Sequence, residues 1–217
     1  MFDIIGIEID SRIALNKQLC AMVRSIEQSK ALESAACKGL IFVNLYGVYE
    51  YAVRSGVQAV LAAIRSDRLC PRDLHSNLLA LVLNPKFSSV SAAGRSKIWK
   101  HRFDLIREFE SSTPLQMLDD TLFPNDGSHY RVGQLQTIWA VFGIDVPLLP
   151  ELRLFGRIDE LVENRNAIAH GRRTPEEVGG RYSQSEIEKR VDDIEKIAKH
   201  IVREMEIHYH SGGVRRK

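Results

Sequence analysis

The chain is poor in cysteine and proline and carries almost no net charge. Its three cysteines, Cys20, Cys37 and Cys70, are odd in number and far apart, without the paired spacing that frames a metal site, a redox pair or a disulfide scaffold. A reducing, cytoplasmic setting is the expectation. Lys and Arg number 30 against 28 Asp and Glu, so the formal charge of +2 is too small to hold nucleic acid by bulk attraction. Any such contact must be local. Long apolar runs are also missing: the most hydrophobic stretch, Leu40 to Ile64, is broken by Asn44, Glu50, Arg54 and Gln58, which excludes a membrane span. The first ten residues hold Asp3, Glu8 and Asp10 where a secretory leader needs a basic start. With no glycine-rich phosphate loop, no Gly-x-Ser-x-Gly elbow and no His-Glu-x-x-His pair, the common nucleotide-binding, serine-hydrolase and zinc-protease chemistries have no handle. No cofactor and no metal are expected.

What is present is a chain of 217 residues, 44% hydrophobic and 27% charged, enough to bury the core of one domain. Apolar residues recur at three- and four-residue spacing, and β-branched alternation between turn residues is not found. The expected fold is all-α, an antiparallel helical bundle forming a single domain over 1–217, with an insertion-like helical and loop segment at about 66–131 and a frayed basic tail over 211–217. The spacing predicts a first helix over about 8–32 and a second over about 36–65, paired as a hairpin. A short helix over 74–83 follows, capped by Asp73 and stopped by Asn84-Pro85. Further helices are predicted over 94–109, 133–142 and 151–170, the last stopped by Gly171. Ser183 and Glu186 form a capping box that opens a final helix, in which Ile187, Val191, Ile194, Ala198, Ile201 and Met205 repeat as a seam. Residues 111–131, with Pro114 and Pro124, read as a long loop with one helical turn at 115–118, and Gly179-Gly180 as part of a connecting loop.

The chemistry concentrates near the end of the 151–170 helix. Leu154, Ile158, Leu161, Arg165 and Ile168 follow a four-three-four-three spacing that puts Arg165 in an otherwise apolar stripe, where a charge needs a partner. Asn166 and His170 are four apart and share a face, displaced by about a quarter turn from Arg165. Arginine offers a fixed cationic fork suited to phosphate and histidine exchanges a proton near neutral pH, a combination that suits phosphodiester chemistry. Spacing alone also admits a plainer account. A histidine before glycine is an ordinary helix stop, and Arg165 can snorkel or pair with Glu163.

Glu163-Asn164-Arg165-Asn166-Ala167-Ile168-Ala169-His170-Gly171 resembles the signature helix of the HEPN superfamily, in which Arg, four to six intervening residues and His form the catalytic motif, often with Asn directly after the Arg. The similarity is greatest to the RiboL-PSP type. It extends to the order of elements, with Leu45-Tyr46-Gly47-Val48-Tyr49-Glu50 in the long second helix and a capped heptad helix after the motif. The resemblance implies a helical bundle that dimerises through its motif helices, two Arg/His sets forming one composite site, and metal-independent endoribonuclease activity. On that implication Arg165 stabilises the scissile phosphate, His170 transfers protons, Asn166 orients the histidine or binds phosphate, and Glu50 is a supporting acid from the second helix. The products would be a 2',3'-cyclic phosphate and a 5'-hydroxyl. Many HEPN toxins paired with a nucleotidyltransferase antitoxin carry a tyrosine two residues after the histidine; this chain has Arg172, which puts inactivation through such a tyrosine in doubt.

Arg172 and Arg173 place positive charge beside the motif, suited either to the RNA backbone or to the helix C-terminus. The segment from Arg95 to Arg107 is the most basic, and Lys97, Lys100 and Arg102 near Trp99 suit an RNA-tracking surface, although an apolar inner and a solvated outer face account for the same pattern. His200, His208 and His210 do not share a helix face as metal ligands must, and Tyr46, Tyr49 and Tyr51 read as partial core packing. The expected function is therefore an RNA-cleaving toxin or phage-defence effector, homodimeric, with an RNA substrate and an antitoxin or defence partner. The alternatives are a non-catalytic HEPN module that binds RNA or a protein, and a helical dimerisation protein with no nucleic-acid role.

Overall fold

A computed structural model of the protein describes residues 1–27, 29–116, 123 and 130–216. Among them are nine α-helices, two 3-10 turns and no strand, only an isolated bridge between Leu74 and Arg215. The helices are α1 (Phe2–Ile26), α2 (Ala31–Ser66), α3 (Ser76–Val82), α4 (Asn84–Ala92), α5 (Ile98–Phe109), α6 (Val132–Phe142), α7 (Phe155–Ala169), α8 (Pro175–Gly179) and α9 (Gln184–His210). The chain is all-α, and it divides into two compact units, one of Met1–Gly56, His129–Leu135 and Pro147–Arg203, the other of Val57–Ser128, Gln136–Val146 and Glu204–Lys217.

The first unit is built around α1, the first part of α2, α7 and most of α9. Their directions follow from which residues meet. Arg12 reaches the Gly47 carbonyl and lies over the Tyr51 ring, while Glu27 pairs with Lys38, so α1 and α2 run antiparallel as the hairpin predicted. Lys17 meets Glu195 and Arg24 meets Glu188, both at 2.6 Å, which sets α1 against α9 in the same sense. Arg157 to Asp193 and Arg190 to Glu160 set α9 against α7. Lys38, Arg190 and Asp193 are buried, each paired with a more exposed partner. Inside, Ile9 and Ile13, Phe42 and Leu45, Ile158 and Leu161, and the predicted seam from Ile187 to Ile201 are 0–3% exposed; its last member, Met205, is buried in the second unit. Each such side chain contributes about 1.5–3 kcal/mol on leaving water, which is why the periodicity decides the fold.

Several helix ends differ by a few residues from those predicted, α2 beginning at Ala31, α5 at Ile98 and α7 at Phe155, and two differences have identifiable reasons. The first helix begins at Phe2 rather than near residue 8, because Phe2 and Ile5 extend the buried stripe of Ile9 and Ile13 by two turns. The region 171–182 is not all loop: Thr174 and Glu177 close a capping box around Pro175 and start α8. Gly39 of α2 and Gly179 of α8 face one another so closely that a Cβ on either would overlap backbone of the other element. Both positions require glycine on packing grounds, a demand that no local pattern announces.

In the second unit His75, not Asp73, caps α3, accepting from Leu78 N–H through Nδ1, while Asp73 receives Cys70 N–H at 2.9 Å and closes the preceding 3-10 turn. Asn84-Pro85 does not merely stop a helix; the proline sits in the first turn of α4, where its missing N–H costs nothing. The tail is held rather than frayed, since Val214 is buried, its carbonyl accepts from His75 N–H, and Arg216 N–H bonds the Asp73 carbonyl at 2.8 Å. Residues 111–116 are not helical, and Phe123 stacks on Phe142; the rest of the predicted 111–131 loop, including residues 117 and 118 of its helical turn, lies largely outside the described residues.

Candidate active site

The motif occupies the last turns of α7 and the cap that follows. His170 is the C-cap residue, its N–H bonded to the Asn166 carbonyl at 3.0 Å. Gly171 then takes the left-handed conformation (φ 65°), its N–H reaching the Ile168 carbonyl while Arg172 N–H reaches that of Ala167 at 2.9 Å. This double bond pattern is the Schellman stop, and it turns the chain out directly after the histidine. His170 is accordingly exposed.

Arg165 is half-buried rather than part of the core, which corrects the reading of it as a charge sunk in an apolar stripe. The buried polar residues of α7 are its neighbours Asn164 and Asn166, 4% and 5% exposed. Arg165 lies with its guanidinium carbon 4.7 Å from the centroid of the Tyr46 ring, and its Nη1 donates to Asn166 Oδ1 at 3.2 Å. A ring below and an amide oxygen beside it fix the plane of the guanidinium. Tyr46 in turn donates its hydroxyl to Glu50 Oε1 at 3.4 Å, one turn along α2. Burial, together with the nearby Glu50 carboxylate, pushes the Tyr46 phenol up to about 12 against a smaller opposing pull from Arg165, so it stays a protonated donor. Glu50 thus meets the motif through Tyr46.

Tyr46 is the member that sequence reasoning missed, having been assigned to packing. A signal existed, because Tyr46 and Glu50 are four apart on one helix within the same run that carries the family resemblance. Asn164 is the other. Its amide donates to the Tyr182 hydroxyl at 2.9 Å and its carbonyl accepts from Arg181, tying the back of α7 to the turn that precedes α9. Tyr182 also packs on Phe42 and lies under Arg190. No spacing rule reaches across such a turn.

The outer face of α7 beside the motif is ionic. Glu163 accepts from Arg172 Nη1 at 3.2 Å and lies 3.6 Å from Arg131, which also lies 4.0 Å from Asp159. Arg172 therefore has an acidic partner within the motif helix, while Arg173 is exposed on the same turn. Lys97, Lys100 and Arg102 belong to the second unit, on and just before α5, and are not part of this cluster. No group of three or more His, Cys, Asp or Glu side chains is arranged to hold a metal among the described residues. Likewise no described helix is long and apolar enough to cross a membrane.

Comparison with curated proteins finds no match, and comparison with solved structures finds none. A family model described as HEPN_MAE_28990-like HEPN matches residues 4–208. That span takes in most of both units and the whole of α7 with its cap. Helix order, motif and family match agree that the chain belongs to the HEPN superfamily, as a member of the MAE_28990-like HEPN family.

Proposed function

We propose that the protein is a metal-independent endoribonuclease whose chemistry is carried by Arg165 and His170. The observation that supports it is the contrast within one helix end: an arginine held flat by Tyr46 and Asn166, five residues before a histidine that the Schellman stop leaves open to solvent. A preorganised guanidinium suits the charge that gathers on phosphate oxygens during transesterification. In the reaction a ribose 2'-oxygen bonds to the adjacent phosphorus and the bond from phosphorus to the 5'-oxygen breaks. His170 accepts the 2'-hydroxyl proton, and the leaving oxygen is protonated by His170 of the partner subunit in a homodimer formed through α7. Asn166 and Tyr46 are positioning residues for Arg165, and Glu50 acts through Tyr46. Arg172 and Arg173 hold the RNA backbone, Arg172 after exchanging its partner Glu163 for phosphate.

The setting in this reading is the cytoplasm, on the unpaired cysteines, and a toxin or phage-defence system with an antitoxin or activating partner, on the family resemblance. Purified protein on labelled RNA tests the proposal. Cleavage should persist in excess EDTA, leave cyclic phosphate and 5'-hydroxyl ends, and vanish in His170→Ala; cleavage that needs added divalent metal assigns a different nuclease mechanism.

A further inference from the structure

Helix α5 shows solvent an aromatic stripe. Trp99, Phe103 and Ile106 are 62%, 57% and 61% exposed, and no residue of the helix is buried. The helix packs instead through Ile98, Leu105 and Phe109, about 100° around the helix from that stripe, toward α4 and the 3-10 turn at Pro71–Asp73. The rings of Trp99 and Phe103 lie 6.1 Å apart and 35° from parallel, and Arg102 sits 5.0 Å over the Trp99 ring. At 100° per residue, Arg102 borders the stripe on one side and Lys100 and Arg107 on the other, with Arg95 and Lys97 just before the helix. Only Asp104 counters them between Gly94 and Arg107.

An apolar strip with cations along both edges fits a ligand that presents flat apolar faces and a flanking row of negative charge. Single-stranded RNA has that chemistry: bases stack on aromatic rings of any orientation, and phosphates track the bordering cations. Duplex RNA does not, because its bases are already stacked. We infer that α5 is a stacking platform for single-stranded RNA, with Trp99 and Phe103 taking bases and Lys100, Arg102 and Arg107 taking phosphates. The choice of RNA over an acidic peptide rests on the ribonuclease reading above, whereas the exposed stripe itself does not.

The tryptophans supply the test. Trp139 is buried, so quenching of intrinsic fluorescence by a base reports on Trp99. The probe is a single-stranded 2'-O-methyl oligonucleotide of 12 residues, which lacks the attacking hydroxyl and cannot be cut by the proposed chemistry, so binding is read apart from cleavage. Full-length protein should show quenching on titration; with binding read by the anisotropy of the same oligonucleotide carrying a fluorescent label, because W99A/F103A lacks the reporter ring, affinity should fall at least about tenfold in W99A/F103A and should be weaker for wild type when the strand is annealed to its complement. In K100A/R107A the slope of log affinity against log salt should fall by about 1.4. All sites are exposed, and an unchanged helical signal checks folding. Absence of quenching, or W99A/F103A binding as tightly as wild type, overturns the platform even if wild type cleaves RNA. Quenching by an acidic peptide but not by the oligonucleotide overturns it in favour of a protein ligand. Quenching without cleavage in the separate assay keeps the platform and removes the enzyme.

Discussion

Arg165 rests on the ring of Tyr46, with its guanidinium carbon 4.7 Å from the centroid. The pair joins the motif helix to α2 and decides where the fork points. If that placement matters to catalysis, the ring matters more than the hydroxyl. Tyr46→Phe should retain cleavage within a few-fold, while Tyr46→Leu should lose tenfold or more, mostly in kcat. Thermal melts of both variants separate this from simple destabilisation. Equal loss in the two would show that the hydroxyl bond to Glu50, not the ring, is what counts.

Arg165→Lys keeps the charge and removes the planar fork. Lysine can neither stack on Tyr46 as a plane nor bridge two phosphate oxygens. Cleavage should therefore fall by about 100-fold or more, on the scale of losing one oriented transition-state donor, with an unchanged melting temperature. Activity near wild type would reduce Arg165 to a point charge.

Stability should depend on pH through the cluster linking α7 to α9. Burial tends to raise the Glu160 carboxyl, but hydrogen bonds from Arg190 and Arg157 outweigh it and hold it below its ordinary value. A carboxyl depressed on folding stabilises the protein above the unfolded value, about 4.3, and that contribution is lost as pH falls through the folded value. Glu160→Gln should cost about 1–3 kcal/mol at pH 7 and flatten the decline of the melting temperature below about pH 5. An unchanged acid limb would locate the sensitivity in other carboxylates.

Gly39→Ala and Gly179→Ala should each destabilise by about 1–3 kcal/mol or more, because the added methyl meets backbone rather than a movable side chain. Gly156, whose added Cβ would meet nothing within 4 Å, serves as the control and should be stabilised or unchanged on mutation to Ala. Chemical denaturation measures all three. A neutral Gly179→Ala would mean that α8 can shift.

The parts of this fold that sequence made legible are those set by local chemistry. The Ser183/Glu186 box is formed as read, with Glu186 Oε2 accepting from Ser183 N–H at 2.8 Å, and the α9 seam is buried along its whole length. What stayed hidden depends on neighbours distant in sequence. The stripe Trp99, Phe103, Ile106 has the same period as a core face and differs in being mostly exposed, with Arg102 over the Trp99 ring. Tyr46 looked like packing because its role is defined by an arginine on another helix. The motif itself was legible because Arg165, Asn166 and His170 lie within six residues, and short spacing on a helix fixes geometry by itself.

The measurement that bears most directly on the central claim is cleavage of labelled total RNA and tRNA by wild type and His170→Ala in EDTA, with chemical analysis of the fragment ends. His170 is exposed at a cap formed by backbone bonds, so the substitution should leave helical content and oligomeric state intact. The expected result is cleavage by wild type alone, leaving 2',3'-cyclic phosphate and 5'-hydroxyl ends, in a preparation that sediments as a dimer. Equal cleavage by both proteins, or none by either across RNA pools that they bind, would contradict the enzyme and leave a HEPN module that binds without cutting.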